Sequence, residues 1–196
     1  RVVLGLPVAP EIPSAPSARR GRGKGGVSLV LRDVLKREAV MLDREVADWR
    51  EAVRQAGELL LRAGVVAEGY PEGMVRNVER LGPYIVIAPG IALPHARPED
   101  GARRVGVSML RLAQPVYFGH PENDPVDLVF GLAGTDSESH LSVLADLVSL
   151  VNDRANVRAL REASSVEEVM AIVEGLEAKG GGEARDRSGG RKVVET

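Results

Sequence analysis

Residues 82–101, GPYIVIAPGIALPHARPEDG, decide the fold. Tyr84 to Ala88 is a β-rich apolar run entered through Gly82-Pro83, which predicts a buried strand. Pro89-Gly90 breaks it, and Pro89 to His95 reads as a loop bounded by Pro and Gly. Working outward, Val105–Leu112 predicts a second strand and Val126–Ala133 (VDLVFGLA) a third. The third does not alternate, so both of its faces are expected to be covered. Upstream, Leu31–Glu38 reads as a short helix and Ala39–Leu42 as a short strand. A stronger helix follows, with Asp48 as N-cap, Glu51 three residues on and Gly64 closing it. Its apolar positions Trp49, Ala52, Val53, Ala56, Leu60 and Ala63 share one helical face. Pro71 opens another helix at its first turn and Gly82 ends it. Downstream, Thr135-Asp136-Ser137-Glu138 predicts a capping box for a helix to about Val151, burying Leu141, Leu144, Ala145, Val148 and Val151. Short helices over 156–162 and 165–174 complete the alternation of an α/β domain with a helix-covered sheet.

The flanks differ in kind. Residues 1–26 are rich in Pro, Gly, Ser and Arg and end in ARRGRGKGG, and 178–196 is similar. Neither stretch carries enough apolar area to offset its ordering entropy, so both are expected to be disordered tails around a domain at 27–177. The N-terminal basic cluster could touch nucleic acid, but the net charge of −2 argues for neither a nucleic-acid nor an anionic-membrane partner, and a solvated linker is the preferred reading. No cysteine is present, which removes disulfides, thiolate catalysis and Cys-based zinc sites. No apolar run approaches the roughly 18 residues of a membrane span. The apolar opening is short, broken by Pro and lacks the order of a secretory signal, so a cytoplasmic location is expected. Arg1 rather than Met opens the chain, as in a fragment or a misassigned start.

Three histidines carry the candidate chemistry. His95 follows the loop that leaves a strand, and open α/β sheets collect chemistry at the carboxyl ends of their strands. A neutral imidazole is a competent nucleophile near neutral pH. A plain polar loop residue is the competing explanation. His140 falls in the first turns of the helix expected after Thr135. There the helix dipole favours the neutral ring and a nearby anion. A half-buried, hydrogen-bonded histidine would look the same. His120, in GHPENDPVD, reads as a loop residue. No pair has metal-ligand spacing, and no G-x-S-x-G, phosphate-loop or strand-linked G-x-G-x-x-G motif is present. A phosphoryl donor, if there is one, is better sought in a partner protein.

The stretch PGIALPHA, together with FGHPENDPVDLVFGLAGTDSESHLSVLADLVSLV at 118–151, resembles the EIIA domains of the bacterial phosphoenolpyruvate-dependent phosphotransferase system. Within the mannitol/fructose superfamily it is most similar to the ascorbate type, over roughly 27–177. The resemblance implies a mixed sheet with helices on both sides. It implies that His95 is the phosphorylated residue and that His140 helps hold the phosphoryl group. It also implies transfer from the phosphocarrier HPr, then onward to a cysteine of an EIIB component that serves the membrane transporter EIIC, for uptake of a sugar such as ascorbate. No metal or cofactor is required. Arg97, two residues after His95, is placed to offer the group a charge-assisted contact. Many family members carry Gly directly after the active histidine, where this chain has Ala96. The partner surface is expected to be apolar around Ile91, Ala92, Leu93 and Ala96. Two other roles fit the same fold: a regulatory module whose phosphorylation state signals, and a scaffold whose His95 is buried out of reach.

Overall fold

The computed structural model describes residues 31–180. The stretches expected to be tails, 1–26 and 181–196, lie outside the described residues. The elements are α1 (Leu31–Val34), β1 (Leu35–Arg44), α2 (Trp49–Arg62), α3 (Tyr70–Leu81), β2 (Val86–Ala88), β3 (Ile91–Ala92), β4 (Gly106–Val116), β5 (Val126–Ala133), α4 (Ser137–Asn152), α5 (Arg154–Glu162) and α6 (Val166–Gly180).

The five strands form one sheet in the order β1-β4-β5-β3-β2. Neighbours alternate in sense: β1 with β4 parallel, β4 with β5 antiparallel, β5 with β3 parallel and β3 with β2 antiparallel. The sheet is therefore mixed, as the resemblance implied. β5 is its spine. Leu128, Phe130 and Leu132 pack into an apolar cluster with Val143, Leu147 and Leu150 of α4. Val129 and Ala133 pack into a second cluster with Ala52, Val53 and Ala56 of α2 and Met74 and Val78 of α3. Both faces are covered by helices, which is why VDLVFGLA does not alternate. α2 lies so close to the sheet that a Cβ on Gly131 would come 3.1 Å from Ala56 O. Ser108 uses that approach to donate its hydroxyl to Ala56 O at 2.7 Å.

α2 and α3 follow the sequence closely. Asp48 accepts from the Glu51 N–H, and Gly64 and Gly82 adopt φ of +68° and +82° just past the helix ends. Elsewhere the structure corrects the expectations. The helix expected over Leu31–Glu38 stops at Val34. Leu35 already pairs with Val107, so strand pairing overrides the helix propensity of Leu-Lys-Arg-Glu. β1 also runs two residues beyond Leu42, and β4 four beyond Leu112. Of the run at 84–88 expected to be a buried strand, only Val86–Ala88 pairs, at the edge of the sheet; Ile85 and Val86 are buried, but Tyr84 and Ile87 are exposed. The following loop contains β3, which inserts between β2 and β5. α5 begins two residues early, with Asp153 accepting from Ala155 N–H. α6 runs on to Gly180, so the stretch expected to be tail from 178 starts three residues inside it.

α4 carries the clearest correction. Its N-cap is Asp136, which accepts from Ser139 N–H, while Thr135 Oγ1 only donates to Asp136 Oδ2. Its buried side chains are Val143, Leu147, Leu150 and Val151. Leu141 is 62% exposed and Val148 37%. Of the five expected, Val151 is buried and Leu144 packs half-buried against the core, while Leu141, Ala145 and Val148 face solvent, because the helix is apolar on two overlapping faces.

Candidate active site

β3 leads through Leu93 and Pro94 to His95, which bridges Leu132 near the carboxyl end of β5. Four tethers hold this segment. Leu132 N–H donates to Pro94 O at 3.1 Å, and Leu93 N–H to Ile85 O at 2.8 Å. Asn77 Nδ2 donates to His95 O at 3.2 Å and also to the Tyr84 hydroxyl at 3.1 Å. The Tyr70 hydroxyl donates to Leu132 O at 2.9 Å and accepts from Ala96 N–H at 3.2 Å. Tyr70 is fully buried, and burial pushes its pKa up to about 12, so the hydroxyl keeps its donor proton.

The ring of His95 is half-buried. Its Nδ1 lies 3.0 Å from Leu93 O. A carbonyl can only accept, so Nδ1 carries the proton and the lone pair of the neutral ring sits on Nε2. His140, on the first turn of α4, faces His95 edge-on with ring centroids 5.3 Å apart. Tyr84 packs edge-on against the same ring at 5.8 Å. The two histidines open onto a cavity of about 510 Å³ with Arg80, Arg97, Gly134, Asp136 and Leu141 on its walls.

Gly134 sets the spacing between β5 and α4. A Cβ there would sit 2.9 Å from His140 Cβ and 3.2 Å from its Cα. Gly134→Ala is therefore expected to push the start of α4 outward and move His140 away from His95. A displacement near 1 Å costs on the order of a hundredfold in a positioned reaction. Any reaction that needs His95 and His140 together should slow about 10- to 100-fold with an unchanged circular dichroism spectrum. A variant as fast as wild type would show that this spacing is not critical.

Burial, and then the charge of His95, hold the pKa of His140 below its ordinary 6.5. His140 is thus neutral at pH 7 and has an N–H to donate. The unfolded chain protonates this ring first, so its contribution to stability falls as pH drops below 6.5, until the folded ring also charges. Proton NMR titration should give a His140 midpoint below that ordinary value. A dianion placed on His95 should raise it, because a neighbouring negative charge favours the imidazolium. A midpoint at or above 6.5 in the free protein would contradict the burial argument.

The structure brings His95 and His140 together and places Arg97 on the same cavity. The Arg97 guanidinium forms no ion pair among the described residues. Its backbone N–H donates to Asp100 Oδ2 at 3.1 Å, which anchors the turn Pro98–Asp100. His120 is not on this cavity. Its Nδ1 accepts from the N–H groups of Glu122 and Asn123 at 3.2 and 3.1 Å, so it braces its own turn. Ala96 has no left-handed backbone and its Cβ costs no strain, which answers its departure from Gly. The apolar surface expected around Ile91, Ala92, Leu93 and Ala96 is corrected, because all four are buried. The exposed apolar residues at the mouth are Leu81, Tyr84 and Leu141. Sequence reasoning also missed Asn77 and Arg80, whose guanidinium donates to Asn77 Oδ1 at 3.0 Å. Their only signal was a polar pair at i and i+3 on α3, and nothing local ties that pair to His95.

A family model described as "Phosphoenolpyruvate-dependent sugar phosphotransferase system, EIIA 2" matches residues 33–175. The chain is 39% identical over 146 residues to the ascorbate-specific PTS system EIIA component of Salmonella typhimurium (strain LT2), covering 74% of this chain and 95% of that protein. It is 38% identical over 146 residues to the same component of Escherichia coli (strain K12), with the same coverage. Among solved structures, the mannitol-specific cryptic phosphotransferase enzyme IIA CmtB from Escherichia coli matches with a TM-score of 0.67 and 32% identity, over 74% of this chain and 98% of that one. The IIA chain in the complex of enzyme IIAMtl with phosphorylated enzyme IIBMtl from Escherichia coli matches with a TM-score of 0.64 and 32% identity, over 72% of this chain and 99% of that one.

Proposed function

The chain belongs to the EIIA 2 family of the phosphoenolpyruvate-dependent sugar phosphotransferase system, and we propose that it serves there as a cytoplasmic phosphoryl carrier with His95 as the carrying residue. The phosphoryl group arrives from HPr and leaves to a cysteine of an EIIB component. The observation that carries this reading is the pairing of the His95 and His140 imidazoles at one cavity, with Nδ1 of His95 committed to Leu93 O. That hydrogen bond leaves Nε2 as the free nucleophile.

In the loading step the Nε2 lone pair forms a bond to phosphorus while the donor's bond to phosphorus breaks, its electron pair leaving with the donor. In the second step the EIIB thiolate attacks phosphorus in line and the electron pair returns to Nε2. Phosphoryl transfer of this kind rests on positioning and charge stabilisation. The N–H of His140 and the guanidiniums of Arg80 and Arg97 are the available donors to the phosphoryl oxygens. Leu81, Tyr84 and Leu141 offer an apolar rim for the partner, and the solved complex of a similar IIA with its phosphorylated IIB supports an EIIB as that partner. The identity to ascorbate-specific relatives supports ascorbate as the transported sugar. No described helix is long and apolar enough to cross a membrane.

Intact mass spectrometry at mildly alkaline pH tests the reading, with phosphoenolpyruvate, enzyme I and HPr present. One acid-labile phosphoryl group should appear. A folded chain that gains none is not a carrier.

A further inference from the structure

Beside the His95 cavity lies a second one of about 250 Å³, lined by Gly73, Arg76, Asn77, Arg80, Arg97 and Asp100. The two share Asn77, Arg80 and Arg97. Three guanidiniums therefore meet one carboxylate at this place. Asp100 lies 3.7 Å from Arg76, a loose contact, and already accepts from the Arg97 N–H. Arg80 is turned to a neutral acceptor, Asn77 Oδ1, and Arg97 has no acidic partner among the described residues. The opposite bank of the His95 cavity, on α4, is different: it presents Asp136, Ser137 and the exposed Leu141. The mouth thus carries its cations on the α3 side, beside the exposed Leu81 and Tyr84, and is apolar to acidic, without a cation, on the α4 side.

From this asymmetry we infer that the second cavity is a carboxylate-binding subsite that receives an Asp or Glu side chain of the EIIB partner and fixes its orientation over His95. The inference rests on the carrier reading, because a protein that reaches His95 must cover both banks at once. On loading, the phosphoryl group draws on Arg80 and Arg97, which line its own cavity. Arg76 lines only the second cavity, and its loose contact with Asp100 at 3.7 Å and the nearby charge of Glu72 leave its fork open to a closer, partner-borne carboxylate. A guanidinium suits that task because its fork matches a carboxylate. A complementary charge at an interface rim acts mainly on association and orientation, and salt screens it.

The test uses the full chain and its Arg76→Glu and Arg76→Ala variants. Each is loaded with phosphoramidate, a donor too small to dock, and separately with HPr. In the phosphoramidate reaction the Nε2–P bond forms as the P–N bond breaks and ammonia leaves. Loading by phosphoramidate should match wild type in both variants. Discharge to the EIIB of the same cell should slow about 10- to 100-fold in Arg76→Glu at low ionic strength, less in Arg76→Ala, with the gap closing as salt approaches 1 M. Discharge at the wild-type rate at low salt overturns the subsite. So does a loss confined to loading from HPr, which would assign the cavity to the donor, and so does an equal loss with phosphoramidate. If wild type itself takes no phosphoryl group, the carrier reading has failed instead.

Discussion

Replacing His95 with alanine should abolish phosphoryl acceptance while the domain stays folded. The ring is half-buried, and its polar contacts are Nδ1 with Leu93 O and the edge-on packing with Tyr84 and His140. The tethers of the segment run through the backbone of Pro94, His95 and Ala96, which alanine keeps. The stability cost should therefore be about 1 kcal/mol. The chemical loss should be complete, since His140 is the one other imidazole among the described residues on the cavity and it is placed as a donor. His140→Ala separates the roles. It keeps the nucleophile and removes a donor to the phosphoryl oxygens, so loading should persist but slow by roughly 10²–10³. Intact mass and a timed quench measure both. If His140→Ala loses all acceptance and His95→Ala retains it, the assignment of carrier and helper is reversed.

Arg111 is expected to be the most costly surface-to-core tether in the domain. It lies on β4 and is buried, and its Nη1 donates to the carbonyls of Leu160, Arg161 and Ala163 at the end of α5. Nε and Nη2 form a fork with Asp43, at 3.0 and 2.8 Å. That hydrogen bond holds the Asp43 carboxyl below its ordinary pKa of 3.8. The two halves of the network differ in worth. Asp43 is exposed, so its ion pair is screened and contributes at most about 1 kcal/mol. The bonds to the Leu160 and Ala163 carbonyls are buried, and leaving those oxygens unmatched costs far more. Arg111→Met should thus destabilise by roughly 2–4 kcal/mol. Asp43→Asn, which tolerates the left-handed backbone at φ +54°, should lose about 1 kcal/mol or less. Urea denaturation of both variants measures the difference. Equal losses would mean that the ion pair, not the helix-end capping, holds α5 to the sheet.

The candidate chemistry was legible because it is local. His95 sits in a Pro-punctuated segment and His140 near a capping sequence, and each position follows from short-range rules. α2 and α3 were legible for the same reason: Asp48, Pro71, Gly64 and Gly82 mark their ends by backbone chemistry that needs no partner. The strand at Val126–Ala133 declared its burial on both faces through a non-alternating apolar run interrupted only by Asp127 near its start. What local rules could not reach was any choice between two apolar options. α4 offers one stripe through Leu141 and Val148 and another through Val143, Leu147 and Leu150, with Leu144 between them, and only packing against Phe130 and Leu132 of β5 selects the second. The strand status of Leu35, against its helix propensity, depends on Val107 some 70 residues away.

By itself, then, the sequence determined an α/β domain, its two best-capped helices, its central strand and the pair of histidines in their order along the chain. The tertiary structure decided which face of α4 stays in solvent and that Val86–Ala88 is an edge strand. It also decided that Tyr70, Asn77 and Arg80, all upstream on α3, attend His95. The physical reason is one of range. Caps, turns and periodicity are set within a few residues, whereas burial and charge pairing depend on which distant surface the sheet brings alongside.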